Sequence, residues 1–301
     1  MAVGEITLGP VLFNWPAEQW RDFYFRVADE ATVSTVYVGE TVCSKRAPLF
    51  ADVLDSVVAR LKAAGKTVVF STLAEVASDK DRNVVRDTCA NGDDWVEAND
   101  TGALYRLKGR PHHVGPFVNT YNEHTAAFLS RNGAVNVCLP PELSSAAVAN
   151  FCAAVGSTIT TEVLVFGRVP LALSARCYHA RAHGRVKDNC QFVCDRDADG
   201  LSLQTIAGQP FLTINGIQTM SHEYLCLLEE IGDLREAGVS RFRLSPHSCD
   251  MVAVAAVFQD VLDRTIEPTE GREQLRALSL PAPFCNGFYH TRPGYEWVGQ
   301  P

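Results

Sequence analysis

Short runs of β-branched and apolar residues alternate with longer amphipathic segments along most of the chain. A strand covered on both faces reads as such a run, and a helix packed on a sheet carries a single apolar stripe, so this alternation specifies βα units around a parallel sheet. The runs fall at 8–14, 33–38, 67–71, 96–99, 114–118, 135–139, 162–166, 211–214 and 241–244. Between them Trp20, Phe23, Tyr24 and Val27 share one helical face, as do Val53, Leu54, Val57, Val58 and Leu61. Val148, Phe151, Cys152 and Val155 repeat the spacing, with Ser144 placed to cap the start and Gly156 just past the end. So do Leu227, Leu228, Ile231 and Leu234 ahead of Gly238, and Val254, Val257, Phe258 and Val261. In 301 residues this is the pattern of one domain over 1–301, an α/β fold of the TIM-like (β/α) barrel type.

One segment departs from the alternation. From Arg176 to Pro210 the chain is rich in Arg, Asp, Cys and Gly and has no helical stripe, so about 176–210 reads as an insertion after the 162–166 strand. The tail from Glu267, with Pro281, Pro283 and Gly287, reads as irregular chain wrapped on the barrel. No stretch of eighteen apolar residues occurs, which predicts no membrane span, and the first ten residues lack a basic-then-apolar leader, which predicts a cytoplasmic protein. With 35 acidic against 27 basic residues the net charge is -8, and no bulk field would draw a nucleic-acid backbone to the surface.

Ten cysteines in a chain without a secretory leader point to metal binding or catalysis for some of them. Cys177, Cys190 and Cys194 lie in or beside the insertion. Iron-sulfur clusters and structural zinc both take four thiolates, so a fourth ligand must come from elsewhere. Cys43 is the candidate, because it follows Tyr37-Val38-Gly39-Glu40 where a strand ends. In a barrel that end is the rim on which sites are built, and Cys177 also follows a strand, so the four sulfurs can converge. Lys45, Arg46, Arg176, Arg181, Arg185 and Lys187 crowd the same two loops and would offset an anionic thiolate-bound centre. Spacing and charge leave iron and zinc both open. Cys89, Cys138, Cys152 and Cys226 have apolar surroundings and read as core.

The segments Gly9-Pro10-Val11-Leu12, Tyr37 to Arg46, Ser174-Ala175-Arg176-Cys177, Asn215 to Met220 and Arg243-Leu244-Ser245-Pro246 closely resemble the UbiV family of ubiquinone-biosynthesis proteins. Cys285-Asn286-Gly287-Phe288 resembles the family's closing segment. That family belongs to the collagenase-like peptidase superfamily. The resemblance runs nearly end to end and implies a [4Fe-4S] protein ligated by Cys43, Cys177, Cys190 and Cys194. It also implies pairing with a UbiU-like subunit as a heterodimer, and work with a UbiT-like lipid-binding protein in oxygen-independent ring hydroxylation of a ubiquinone precursor, with prephenate as the oxygen donor.

Prephenate carries two carboxylates, for which arginine or lysine is the natural clamp. Arg176, Arg243 and Lys45 are the candidates. Asn119, Tyr121 and Asn122 follow one strand, and Asn215 and Gln218 another, where they could orient a phenolic substrate or cap helices and satisfy loop backbone. Rival readings are a non-catalytic electron-transfer or structural subunit, a zinc-stabilised binding module, and a peptidase built on His247, Ser248 and Cys249. Adjacency in sequence argues against the last, since catalytic partners come from separate loops and neither HExxH nor Gly-x-Ser-x-Gly is present.

Overall fold

The computed structural model describes residues 4–92 and 94–299. In chain order the barrel elements are β1 (Glu5–Leu8), α1 (Ala17–Glu30), β2 (Thr35–Val38), α2 (Ala47–Ala63), β3 (Thr67–Ser71), α3 (Asp79–Cys89), β4 (Trp95–Ala98), α4 (Thr101–Leu107), β5 (His112–Val114), α5 (Glu123–Arg131), β6 (Ala134–Cys138), α6 (Ser145–Val155) and β7 (Thr160–Leu173). Next come α7 (Tyr178–Ala182), β8 (Leu201–Gln204), β9 (Pro210–Asn215) and β10 (Gln218–Cys226), and then α8 (Ile231–Ala237), β11 (Arg241–Leu244), α9 (Met251–Leu262), α10 (Pro268–Ala277) and β12 (Phe284–Cys285). Strands β1 to β7 pair in parallel in sequence order, and β11 pairs in parallel with both β7 and β1. Among the described residues, eight parallel strands thus close a TIM-type barrel with helices outside.

Local chemistry sets the helices. Ser78 and Asp81 form a reciprocal capping box at the start of α3, and the Ser144 hydroxyl accepts from Ala147 N at 3.4 Å to start α6, which stops at Gly156. The stripe of α1 buries Trp20, Tyr24 and Val27, with Trp20 stacked on Phe50 of α2.

Some expected boundaries move, each for a physical reason. The run at 8–14 is strand only to Leu8, and Val11, Leu12 and Phe13 are buried as a rim loop across the barrel mouth. The run at 114–118 ends as strand at Val114, because Pro116 opens a 3-10 turn and cannot donate to a ladder. The 211–214 run lies outside the barrel, in β9. There β7 outruns the barrel and its second half pairs antiparallel with β10, which pairs with β9 and that with β8. The insertion is therefore larger than 176–210 and carries strands β8 to β10 up to Cys226, of which only the 211–214 run was legible as strand in the sequence. The tail is not all irregular. Pro268 starts α10, its fixed φ suiting a first helical position. Beyond it, Asn286 and His290 reach the buried Glu230 carboxylate at 2.8 Å each, fastening the tail beneath the barrel wall.

Inside the barrel every strand contributes one buried polar side chain to a single network: Thr7, Tyr37, Ser71, Glu97, His113, Asn136, Glu162 and Arg243. The Arg243 guanidinium bridges Glu97 at 2.7 Å and Glu162 at 2.8 Å and lies 3.9 Å from the Tyr37 ring centre. Glu162 also accepts from Thr7 (2.5 Å), Tyr37 (2.9 Å) and Asn136 (2.8 Å), while Ser71 donates to Glu97 at 2.8 Å. Tyr37 meets His113 Nδ1 at 3.0 Å. Burial would raise the Glu162 carboxyl, but Arg243 and the donors around it outweigh that and hold it at about 2. Burial, then Arg241, pushes His113 down to about 3.

Both shifts act in one direction on stability. An unfolded chain takes up protons at the ordinary values of 6.5 for His113 and 4.5 for Glu162, while the folded chain resists until about 3 and about 2. Stability is therefore full above pH 6.5 and falls on acidification. Glu162→Gln leaves Arg243 short of a buried counter-charge, so its unfolding free energy in urea at pH 7 should fall by about 3–5 kcal/mol. The gap to the wild type should narrow as the pH drops below 4.5. A constant gap would show that Glu162 is not the ionised partner.

Candidate functional site

The C-terminal rim of the barrel is covered by the insertion, and rim side chains fasten it. Trp15 Nε1 donates to Ala198 O at 2.7 Å, Lys45 Nζ to Lys187 O at 2.5 Å, and Lys187 Nζ lies 3.4 Å from Glu75. Asp199 accepts from Ser248 N at 2.9 Å and Ser248 Oγ at 2.5 Å. The insertion is thus tied to the loops after β1, β2, β3 and β11.

Between insertion and rim lies a small pocket lined by Cys43, Cys177, Cys190 and Cys194 together with Lys45, Arg46, His179, Lys187 and Gly216. All four thiols are free and half-buried. Cys43 is set by the turn after β2, where the buried Glu40 carboxylate accepts from Val42 N at 2.7 Å and Cys43 N at 2.8 Å. Cys177 caps α7 and accepts from Ala180 N at 3.4 Å, while Asn14 Nδ2 donates to Cys194 at 3.4 Å. Burial pushes the Cys43 and Cys177 thiols up, with Arg46 pulling against it in both. Such thiols ionise readily only when a further cation compensates them.

Arg46 is the pocket's organising cation. It is buried, donates to Leu12 O at 2.9 Å and Asn215 Oδ1 at 3.0 Å, and faces Cys194 and Cys43. Asn215 in turn donates to Leu12 O at 2.7 Å and to Gln218 Oε1 at 3.0 Å. The tight turn at Gly216, with φ of +61°, brings backbone so close that a Cβ would stand 2.8 Å from the guanidinium.

The other candidates separate into distinct places. Arg243 lies within the barrel, committed to Glu97 and Glu162. Arg176 is exposed and, with Lys45, Lys80, Arg181 and Lys187, lines an open cleft that shares Cys177 with the thiol pocket. Asn119 and Tyr121 line a different cleft with Glu142 and Leu171, and the Tyr121 hydroxyl donates to Glu142. Asn122 caps α5, accepting from Thr125 N at 2.9 Å. The sequence reading missed His179, Asn14 and Trp15, of which Asn14 ends the run read as strand at 8–14 and Trp15 follows it; only their polar or indole character near Gly9-Pro10 could have flagged them.

His247, Ser248 and Cys249 do not form a hydrolytic set. His247 Nε2 accepts from Arg168 N at 3.1 Å and is thereby committed to the backbone, while Nδ1 faces Asp199 at 3.5 Å. Burial pushes the Cys249 thiol up to about 12. No helix among the described residues is long and apolar enough to cross a membrane.

A TIM-type barrel whose mouth is roofed by a cysteine-bearing insertion defines the class. Residues 17–299 match the description Peptidase family U32, and the chain belongs to that family. Among solved structures it is similar to a dihydrodipicolinate synthase family protein from Coccidioides immitis, at 9% identity and TM-score 0.49, over 93% of this chain and 78% of that one. It is similar also to dihydropteroate synthase from Xanthomonas albilineans, at 13% identity and TM-score 0.45 over 87% and 91%. N-acetylneuraminate lyase from Fusobacterium nucleatum matches at 9% identity and TM-score 0.47 over 92% and 81%. The barrel rests on its own strand pairing, and these likenesses carry nothing about activity.

Arg46→Gln removes charged hydrogen bonds of about 1.5–3 kcal/mol each from the rim. Limited proteolysis within 176–210 should accelerate at least about tenfold while far-ultraviolet circular dichroism is kept. Unchanged cleavage would mean that Arg46 does not hold the insertion.

Proposed function

We propose that Cys43, Cys177, Cys190 and Cys194 hold a [4Fe-4S] cluster and that the chain serves, as one half of a heterodimer with a UbiU-like subunit, in oxygen-independent ring hydroxylation during ubiquinone biosynthesis. The observation that carries this reading is the meeting in one pocket of four free thiols, one from the β2 rim loop and three from the insertion. Four thiolates around one zinc at about 2.3 Å would stand about 3.8 Å apart. Among the described residues, however, no three of these sulfurs lie mutually within 4.8 Å.

When bound, the cluster supplies one-electron transfer. The chain's own groups suit an anionic centre there. Arg46 and Lys187 offset negative charge, and the Asn14 amide and Ala180 N–H point at two of the sulfurs. The adjoining cationic cleft, with Lys45, Arg176 and Arg181, can take a dicarboxylate donor such as prephenate. Arg243 has no part in that clamp, and Asn215 and Gln218 support Arg46 from behind. In this reading a UbiT-like lipid-binding protein presents the apolar ubiquinone precursor.

Protein purified without oxygen should be brown and contain about four irons with matching sulfide, lost in Cys43→Ala. Zinc in colourless protein, or unchanged iron in Cys43→Ala, overturns the assignment. Hydroxylation of a ubiquinone precursor by the isolated chain with prephenate would exclude a purely electron-transferring or structural role.

A further inference from the structure

Next to the thiol pocket, which His179 itself lines, lies a group of donors that the cysteines do not use. His179 and His183 are one helical turn apart, with rings stacked at 5.7 Å and planes within 19°. Asp197 reaches them from the far end of the insertion's cysteine segment, its Oδ2 2.8 Å from His179 Nε2. One nitrogen of each imidazole and one carboxylate oxygen lie within 4.8 Å of one another.

A structural His–Asp hydrogen bond accounts for one nitrogen of His179 and nothing more. His179 Nδ1 and His183 Nε2 are both buried and find no hydrogen-bond partner among the described residues. A buried polar nitrogen without a partner calls for one, and that of His183 belongs to a ring whose donor lies close to the His179 Nε2–Asp197 pair. A cation at the His179 Nε2–Asp197 edge would engage His183 as well.

We propose that His179, His183 and Asp197 form a second, mononuclear site for a divalent transition-metal ion. Two imidazoles and a carboxylate are borderline-to-hard donors, suited to Zn²⁺ or Fe²⁺ rather than to the all-sulfur environment next door, and three protein ligands leave coordination positions open to water or an anionic oxygen. The ion would join α7, which follows Cys177, to the turn that follows Cys194, closing the segment that carries three of the four thiols. It shares no donor atom with those thiols and stands whether they hold iron or not.

The test is equilibrium dialysis of the anaerobically purified chain against micromolar Zn²⁺, counting zinc, iron and sulfide, with X-ray absorption at the zinc edge. One zinc with nitrogen and oxygen scatterers at about 2.0–2.2 Å is expected, lost in His183→Ala and in the near-isosteric Asp197→Asn at unchanged iron and sulfide, and kept in Cys190→Ala. His183 is only half-buried at a helix end, so the variant should retain the wild-type circular dichroism. Full zinc retention in both site variants, or sulfur scatterers at about 2.3 Å, overturns the site.

Discussion

The guanidinium of Arg243, shared between Glu97 and Glu162 on the barrel axis, is the interaction around which this molecule is arranged. Three charges that far from water persist only because each finds counter-charge and further donors, and those come from every strand of the ring. The barrel is closed by parallel ladders outside and cross-braced by a polar network inside. Loss of β4, β7 or β11 would leave a buried charge short of its partner, and loss of another strand would remove one of the neutral groups that support the three.

The network fills the axis of the barrel with side chains committed to one another. Many barrels use the mouth itself. Here the apolar rim residues Val11, Leu12 and Phe13 cross the mouth, and the insertion lies over them. Arg46 joins the two layers. Its guanidinium touches the β1 loop through Leu12 and the insertion's sheet through Asn215, and it faces the sulfurs between them.

Much of this could be read from the residues alone, because burial on both faces of a parallel strand leaves a strong pattern. The runs at 67–71 and 241–244 are strands at those bounds, and the stripe of Val148, Phe151, Cys152 and Val155 is the buried face of α6. What escaped notice lies where that coupling fails. The 211–214 run is strand, as β9, but its place outside the barrel and its partner β8, a four-residue strand that is only partly buried, were not legible. The interior role of Arg243 was hidden as well, since an arginine ending a strand looks the same in sequence whether it points at a substrate or at two glutamates. The four cysteines were visible as a set because they occupy loops, where a soft, reactive residue has no packing reason to be. His179 was not, because a lone histidine in a basic loop resembles any other surface residue.

The fastening of the insertion also bears on the order in which this protein comes into being. Its side chains hold nothing until the loops after β1, β2, β3 and β11 stand side by side, and β11 is the last strand to join the ring. Cys43 is made early and its three companions in mid-chain, and the lining of the pocket they share is complete only once Gly216 and Ile217, between β9 and β10, have been made. A half-made chain therefore offers scattered thiols and no shared pocket.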